Sequence, residues 1–562
     1  MNRSVLLLAL RHLRGPLITL VGVFAVGIAG LVIIPGVDAD GRPWQMTFAE
    51  ALYFMSYTAT TIGFGEIPAP FTGAQRLWVT AIIFASVIGW AYLVGTVVTL
   101  TRDEAFRGAL TAASFARSIR ALRQPFYLIC GFGETGLLVG RALDGLGRRF
   151  VVVDIDEARV QEVKLLELHQ DVPAITGDAR LPDVLVHAGL TAPHCQGVLA
   201  LTNDDQANLA VAMAVRLLHP EIPVLARAMS RDVEANMASF KTDHVINPFA
   251  RFGDYLALAL AAPAAHRLIA WLTALPGSEF SLHLAPPRGR WVVCGYGRFG
   301  KEVVEALRDQ DLDAAVIDPD EKSVPGLETI QGRGTDAETL NAAGIREAVG
   351  IVAGTDDDIT NLSIAVTARE LNENLFTIVR QNLQSSGALF AAFSADITMV
   401  SSEIIANQCL ALIKTPRLAD FLRFARAQSE QWSERVLDRL TAAIGNRVPE
   451  TWSVALTPAD TPALLQAIED GRTITVADLL RDPADRDASL PMVTLSRSRR
   501  GNFVTLPEPA DVLQPGDELL FAGTRTARRL QADLLRNLNL LCYVLTGQDV
   551  PSGWLWQALR RR

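Results

Sequence analysis

The sequence predicts a helical membrane domain followed by two doubly wound α/β domains and a small α+β lobe. Three observations lead to this expectation. Two long uncharged apolar stretches lie near the N-terminus of the 562-residue chain, a strand, glycine turn, helix and strand recur twice in its middle, and its last part is rich in strand-like runs. At about one domain per ~150 residues, the chain is too long for a single core.

Composition excludes some classes of function. The net charge is −9 and the pI is about 5.5, so we expect no nucleic-acid partner, because phosphate binding needs a concentrated basic face. Mean hydropathy of +0.23 is high and favours membrane segments. The five cysteines form no CxxC pair, which indicates reduced thiols without a disulfide framework or a zinc site.

The two apolar stretches are long enough to cross a bilayer. Residues Pro16 to Pro35 and Leu77 to Thr101 contain no charged side chain, and about 20 such residues match a hydrocarbon core of ~30 Å. We expect spans at about 16–36 and 76–101. A cleaved signal peptide is disfavoured because arginines follow the short first apolar run. Arginines flank both spans on the side of the chain termini, whereas the connecting loop is mainly acidic, so both termini are predicted to be cytoplasmic.

Between the spans lies a segment too short to cross. Residues 46–60, "MTFAEALYFMSYTAT", have helical propensity and an aromatic face, so we expect a helix that re-enters the membrane from outside. Non-helical backbone at membrane depth is tolerated only where protein buries it or water meets it. The next residues, 61–65, "TIGFG", are therefore predicted to line a pore.

This segment resembles the selectivity filter of potassium channels, usually TVGYG, in which main-chain carbonyls replace the hydration shell of the ion. Glycines that adopt positive φ allow successive carbonyls to face one axis. Phe64 stands in place of the usual tyrosine and cannot donate that residue's hydrogen bond to the pore helix. Glu66 stands in place of the usual aspartate, at the pore mouth. The matching filter residues are Thr61, Ile62, Gly63, Phe64 and Gly65.

The resemblance implies a homotetramer in a prokaryotic plasma membrane, because the chain has one filter and four are needed around a cyclic axis. Potassium ions would occupy the filter, and the acidic outer loop would attract cations. Gly89 and Gly95 are candidate hinges of the inner helix, or sites of close helix packing, which small residues also favour. Val94, Val97 and Val98 are candidates for an apolar gate at the cytoplasmic end.

A charged helical linker at 102–124 is expected to continue the second span. It is followed by an apolar strand, a GxGxxG turn, a helical pattern and a second strand that ends in an acid, which together make the dinucleotide-binding fingerprint. The same unit recurs further on. The residues are Gly131, Gly133, Gly136 and Asp154 in the first copy, and Gly295, Gly297, Gly300 and Asp318 in the second.

The duplication extends beyond the glycine turns. "GVLALTNDDQANLAVA" matches "GIVAGTDDDITNLSIA", and such long-period similarity indicates a duplicated domain with a parallel sheet covered on both faces. These halves resemble the RCK (regulator of potassium conductance), or TrkA-type, domain. The resemblance implies a first domain at 125–288 with a helical crossover broken at Pro263 that pairs the halves, a second at 289–450, and a C-terminal lobe and tail at 451–562 with "QPGDELLFAG" as a hairpin.

The glycine turns predict nucleotide binding. Backbone N–H groups at a helix N-terminus bind a pyrophosphate, and Asp154 and Asp318 would bind ribose hydroxyls, which favours NAD or another adenosine nucleotide over NADP. Arg298 would add a contact to phosphate. Glu134, in the equivalent place of the first turn, gives no such help. We therefore favour the second site and leave open whether the first binds weakly, binds another ligand or is empty. At each turn, simple packing of helix on sheet is the alternative.

Two acidic clusters, 204–205 and 356–358, precede helical patterns and are interpreted first as N-caps. Regulation of the gate by calcium is an alternative that rests on the family resemblance alone. We find no catalytic constellation and expect no enzyme. The sequence thus predicts a ligand-gated potassium channel; a potassium uptake transporter subunit and a membrane-anchored NAD-dependent oxidoreductase are the alternatives. The sequence does not specify which ligand acts on the gate, whether that ligand opens or closes it, the resting state of the gate, or the role of the C-terminal tail.

Overall fold

The computed structural model describes residues 3–38, 42–67, 69–274, 285–320 and 323–548. The chain forms two compact units, Met1–Arg123 and Gln124–Arg562. The C-terminal tail, Asp40 of the acidic loop and the end of the crossover segment, 275–284, lie outside the described residues.

The first unit is helical. It contains α1 (Arg3–Ile33), a short antiparallel pair β1 (Gly36–Val37) and β2 (Pro43–Trp44), then α2 (Phe48–Ala59), α3 (Gly73–Arg102) and α4 (Glu104–Ala121). Leu10–Ile33 and Gly73–Arg102 are long and apolar enough to cross a membrane, and only 22% and 17% of their most apolar windows are buried within the chain. The two predicted apolar helices are confirmed, although α1 begins at Arg3 and runs through Pro16.

The linker is not a continuation of the second span. α3 ends at Arg102, and Asp103 adopts an extended conformation (φ −66°, ψ 121°). The Asp103 carboxylate accepts the N–H of Phe106 at 2.8 Å and so caps α4. The expectation of one continuous helix is therefore wrong at Asp103, because an N-cap aspartate supports a new start better than a helix interior.

The second unit begins with a doubly wound domain. Six parallel strands lie in the order β5-β4-β3-β6-β7-β8, so the order reverses beside β3. Apolar residues of these strands are buried on both faces, as a sheet covered by helices requires. The strands are β3 (Phe126–Cys130), β4 (Arg149–Asp154), β5 (Ala174–Thr176), β6 (Cys195–Ala200), β7 (Val224–Arg227) and β8 (His244–Ile246). The helices are α5 (Glu134–Gly145), α6 (Glu157–Leu165), α7 (Pro182–His187), α8 (Asp205–Leu218), α9 (Arg231–Ser239), α10 (Pro248–Ala261) and α11 (Pro263–Thr273).

The next domain repeats this topology, with strand order β11-β10-β9-β12-β13-β14. The predicted duplication into two parallel, doubly wound sheets is confirmed. The strands are β9 (Trp291–Cys294), β10 (Ala314–Asp318), β11 (Glu328–Gln331), β12 (Gly350–Ala353), β13 (Phe376–Gln381) and β14 (Ile397–Val400). The helices are α12 (Arg298–Arg308), α13 (Ala337–Ala342), α14 (Asp358–Leu371), α15 (Gly387–Phe393), α16 (Ser401–Lys414), α17 (Pro416–Arg426) and α18 (Glu430–Ile444).

The two domains exchange helices. α10, from the first domain, places Phe249, Phe252 and Leu256 in one buried cluster with Trp291 and Phe299 of the second. In return, α16 joins the core of the first domain, through Ile405, Ala406 and Cys409. Each of the two cores is thus completed by a helix from the other domain.

A small antiparallel sheet forms the C-terminal lobe, in the order β15-β18-β16-β17. The segment "QPGDELLFAG" is not a hairpin: it turns into β18, whose neighbours are β15 and β16. β18 is buried along most of its length, which suits a central strand. The hairpin is β16–β17, around Arg500 and Gly501. The elements are β15 (Glu450–Ala455), α19 (Pro462–Glu469), β16 (Met492–Arg499), β17 (Asn502–Thr505), β18 (Glu518–Gly523), α20 (Arg525–Arg536) and α21 (Leu538–Thr546).

Candidate functional site

The short helix α2 begins with a capping box. The Thr47 N–H donates to Glu50 Oε2 at 2.8 Å, and the Glu50 N–H donates to Thr47 Oγ1 at 3.4 Å. This reciprocal pair satisfies two N–H groups that the helix start leaves open. The helix ends at Ala59, close to the boundary expected from the sequence. Residues 61–65 then follow as non-helical backbone.

The backbone φ angle alternates in sign along residues 61–65. Thr61, Gly63 and Gly65 have φ of +62°, +66° and +96°, whereas Ile62 and Phe64 are not among the positive-φ residues. Such alternation turns successive carbonyls to one side, unlike a strand, where they point in opposite directions. Positive φ was expected for the two glycines. For Thr61 it is strained, since a β-branched residue rarely adopts it, and the sequence carried no signal for it.

Tyr57 of α2 contacts the filter segment at both ends. Its carbonyl accepts the N–H of Ile62 at 2.9 Å, and its hydroxyl donates to the carbonyl of Gly65 at 2.6 Å. The Phe64 ring packs edge-on against Tyr57, with 5.4 Å between ring centroids, and stacks on Tyr53 at 6.5 Å. Sequence reasoning missed Tyr57, because nothing in the motif marks a residue behind the filter.

Glu66 is paired within the chain. Its carboxylate accepts two bonds from Arg76, at 2.8 and 3.0 Å, and one from the Phe71 N–H at 2.9 Å. A bidentate arginine compensates the carboxylate charge and fixes its direction. The Glu66 carboxylate thus bonds to Arg76 and to the backbone N–H of Phe71, and its place at a pore mouth stays a prediction.

The gate candidates differ in their surroundings. A Cβ on Gly89 would lie 3.5 Å from Leu20 of α1, whereas a Cβ on Gly95 would meet nothing within 4 Å in this chain. Gly89 thus fits the packing alternative, and Gly95 remains a hinge candidate. Val97 and Val98 are 43% and 46% exposed in the single chain, and their part in a gate stays a prediction.

The glycine turns occupy equivalent places in the two domains. β3 and β9 each end where the strand order reverses, which is where doubly wound sheets bind ligands. Gly131 and Gly295 both have φ of +94°. A Cβ on Gly136 would lie 2.3 Å from the Gly131 carbonyl oxygen, and the corresponding distance from Gly300 to Gly295 is 1.9 Å. Gly133 and Gly297 are the N-cap residues of α5 and α12.

The strand-end aspartates hold the turns. Asp154 accepts the N–H groups of Phe132 and Asp156, at 2.5 and 2.8 Å. Asp318 accepts those of Tyr296 and Asp320, at 2.7 and 2.9 Å. Each carboxylate therefore joins its turn to the neighbouring strand, and contact with a ribose stays a prediction.

Two charged side chains, Glu134 and Arg159, lie near the first turn. Glu134 accepts the N–H of Gln384, from the second domain, at 3.0 Å. The Arg159 guanidinium lies 2.4 Å from the position that a Cβ on Gly133 would occupy, and it approaches Asp156 at 3.6 Å. The first turn thus has a cation beside it, although Glu134, which occupies the place of Arg298, supplies none. Sequence reasoning missed Arg159 because it lies on α6, outside the motif.

Two arginines lie near the second turn, on the ring of Phe249. The Arg298 guanidinium lies 5.9 Å from the Phe249 ring centroid, and Arg380 lies 4.8 Å from the same ring. Arg380 is buried and pairs with Asp356 at 2.6 Å. Burial lowers the pKa of the Arg380 guanidinium, and the nearby charge of Arg298 acts in the same direction. Two cations this close to one turn would favour an anion there.

The acidic clusters serve as caps and backbone anchors. Asp204 accepts the N–H of Gln206 at 2.9 Å, and Asp357 accepts that of Thr360 at 2.7 Å. Among the described residues, no group of three or more His, Cys, Asp or Glu side chains is placed to hold a metal ion. The interpretation as caps is confirmed.

Three parts of the chain match known protein families. Residues 18–103 match the family described as "Ion channel", and residues 127–248 and 291–401 each match the TrkA-N domain. The chain joins an ion-channel domain to two TrkA-N domains. The filter segment lies inside the first match, and both glycine turns lie inside the TrkA-N matches.

Curated relatives share parts of this ion-channel and TrkA-N chain. Potassium channel protein 1 of Methanocaldococcus jannaschii is 26% identical over 202 residues, which are 36% of this chain and 59% of the relative. The glutathione-regulated potassium-efflux system protein KefC of Salmonella agona is 29% identical over 223 residues, 39% of this chain and 33% of the relative. The chain thus spans less than two thirds of the length of these relatives. A structure of the GsuK channel bound to NAD aligns with 94% of this chain and 98% of its own, at 17% identity and a TM-score of 0.48.

Proposed function

We propose that this chain is one subunit of a homotetrameric, potassium-selective channel that is gated by an adenosine nucleotide such as NAD. The observation that carries the proposal is the alternation of positive φ at Thr61, Gly63 and Gly65, between a re-entrant helix and a long apolar helix. Carbonyls that face one side can replace the hydration shell of a dehydrated cation. The similarity to potassium channel protein 1 of Methanocaldococcus jannaschii supports the same ion.

Four subunits are needed because one filter segment supplies only a quarter of a coordinating ring. A closed cyclic assembly brings four identical segments to one axis. The distribution of arginines around the two apolar helices supports cytoplasmic termini and cytoplasmic TrkA-N domains in a prokaryotic plasma membrane. One full filter segment also favours a channel over an uptake transporter, which would resemble four fused, degenerate filter repeats in one chain.

The nucleotide would bind at the glycine turns. Gly297 is open, with nothing within 4 Å of a Cβ built on it, so a pyrophosphate can approach the N-terminus of α12 closely. The exchanged helices α10 and α16 join the two TrkA-N domains into one body, so a ligand at either turn acts on both. Gating requires that the nucleotide bind the open and closed arrangements with different affinity. Calcium is not part of the proposal, because the acidic clusters are engaged as caps and anchors.

Recording from the purified full-length protein in planar bilayers tests the proposal. With opposed potassium and sodium gradients, we expect current that reverses near the potassium equilibrium potential, and an open probability that changes when NAD or ADP is added to the cytoplasmic side. Gly63→Ala should abolish selective current, because the backbone at residue 63 adopts positive φ, which alanine disfavours. Gly73→Ala, at the open start of α3, is the matched control. Equal passage of sodium and potassium by the wild type would refute the channel assignment, and a lack of response to saturating nucleotide would refute the gating assignment.

A further inference from the structure

The aromatic residue of the filter segment 61–65, Phe64, has no hydroxyl, but the hydroxyl of Tyr57 on the preceding helix α2 reaches the backbone of this segment. The Tyr57 hydroxyl donates to the Gly65 carbonyl at 2.6 Å, a normal O–H···O distance. Tyr57 is only 4% exposed. A buried hydroxyl without a partner would lose the free energy of its bonds to water, so this bond has a strong reason to persist.

The same residue holds the other end of the segment. The Tyr57 carbonyl accepts the N–H of Ile62 at 2.9 Å and that of Gly63 at 3.4 Å. Tyr57 therefore fixes the start of the filter through its main chain and the end through its side chain. The span between the two fixed ends cannot lengthen or shorten without breaking one of these bonds.

Aromatic packing fixes the direction of the hydroxyl. The Tyr57 ring meets Phe54 at 5.2 Å between centroids, Tyr53 at 5.3 Å and Phe64 at 5.4 Å, each in an edge-to-face arrangement. Such contacts stabilise specific ring orientations. A ring held on three sides cannot swing its hydroxyl away from Gly65, so the bond is set by the packing of α2.

We propose that Tyr57 is a positioning residue for ion selectivity, whose hydroxyl replaces the hydrogen bond that Phe64 cannot make. This inference rests on the proposed channel function. The Gly65 carbonyl is directed towards α2 by this bond, so the carbonyls of residues 61–64 are left as the ion ligands. The Glu66–Arg76 pair fixes the next residue along the chain, and together the two contacts hold the outer end of the filter.

The test compares Tyr57→Phe with Tyr53→Phe in the full-length protein reconstituted in bilayers. Both changes remove one hydroxyl from α2 and keep the ring against Phe64. We expect Tyr57→Phe to lower the potassium-to-sodium permeability ratio by about fivefold or more, the factor that one net hydrogen bond corresponds to. We expect Tyr53→Phe to leave the ratio unchanged. Because potassium binds only the ordered filter, raising its concentration should slow any loss of current in Tyr57→Phe.

A general loss of stability would lower the number of channels without changing the permeability ratio of those that remain. If Tyr57→Phe carries no current, calorimetric titration of the tetramer in detergent replaces the recording. Weakened potassium binding with unchanged sodium binding would then support the proposal. A wild-type permeability ratio or wild-type potassium affinity in Tyr57→Phe would overturn it, and so would an equal loss in both variants. A wild-type channel without selectivity would instead refute the proposed function itself.

Discussion

In the glycine turn of the second TrkA-N domain, a substitution at Gly297 is expected to weaken ligand binding without disturbing the fold. Gly297 adopts an extended conformation (φ −72°, ψ −163°), and a Cβ there would meet nothing within 4 Å. Gly297→Ala should therefore change the free energy of unfolding by less than ~1 kcal/mol, the usual range for an N-cap substitution. The added methyl nevertheless lies where a pyrophosphate must approach the backbone.

We expect Gly297→Ala to weaken nucleotide binding substantially. Losing one hydrogen bond between a backbone N–H and a charged phosphate costs about 1.5–3 kcal/mol, which is roughly a 10- to 100-fold increase in Kd. Calorimetric titration of the full-length protein in detergent with NAD and with ADP measures this change. The melting curve of the same sample shows that the fold is intact.

Gly300→Ala should behave in the opposite way. A Cβ there would lie 1.9 Å from the Gly295 carbonyl oxygen, so backbone has to move by more than ~1 Å, and overpacking of this kind costs about 1–3 kcal/mol or more. We expect a lower melting temperature with or without nucleotide. A Gly300→Ala variant as stable as the wild type would refute the packing argument.

The first turn provides the comparison. A Cβ on Gly133 would meet the guanidinium of Arg159, a flexible side chain that can move aside, so Gly133→Ala should also fold. If Gly297→Ala loses affinity and Gly133→Ala does not, the second turn is the nucleotide site. Unchanged binding in both variants would refute the assignment of nucleotide to either turn.

Four further outcomes follow from contacts in the second unit. Asn361→Ala should lower the free energy of unfolding by about 3–5 kcal/mol in chemical denaturation, because the buried amide bonds four main-chain and hydroxyl groups that would lose a partner. Burial raises the pKa of Cys294 to about 12, so iodoacetamide should modify it at pH 8 only after denaturation, and rapid native labelling would contradict this. Phe249 of α10 packs in the core of the second domain, so Phe249→Ala should destabilise that domain by about 3–5 kcal/mol, whereas Phe240→Ala, at an exposed position, should not. Equal melting temperatures of these two variants would argue against the exchange of helices between the domains. Arg159→Gln should weaken NAD binding about tenfold if the first turn binds the nucleotide, and affinity in low salt is the measurement.

Elements with a strong periodic or apolar signal were predictable from the sequence. Both long apolar helices and both doubly wound sheets follow from residue patterns and the duplication, whereas the pairing of the two domains by crossing helices was expected only from the family resemblance. Helix ends were less predictable. The break between α3 and α4 depends on one side chain, because the Asp103 carboxylate caps α4. The start of α1 at Arg3 depends on a helix that continues through Pro16.

The candidate sites were predictable at the level of backbone and less so at the level of side chains. Glycines indicate positive φ and close approach of the backbone, so residues 61–65 and both turns could be located. Partners on neighbouring helices, outside the motifs, could not: Tyr57 reaches Gly65 from the preceding helix, Arg76 pairs with Glu66 from the following one, and Arg159 reaches its turn from α6. Each of these depends on tertiary packing that no local motif encodes.

The duplication has diverged unevenly, and this divergence separates scaffold from ligand chemistry. Asn208 and Asn361 make the same four bonds in the two domains, each tying the end of the fourth strand of its sheet to the fifth. At the start of the helix after each turn, however, Glu134 replaces the Arg298 of the other copy, and Glu134 bonds across to the second domain. A phosphate at the first turn would lie beside this carboxylate, whereas one at the second would lie beside a guanidinium. The scaffold is the same, but the first side chain of the helix carries the opposite charge, and at the first turn the cation is Arg159 of α6 instead. We therefore expect the two turns to favour different ligands, so that occupancy of one does not imply occupancy of the other.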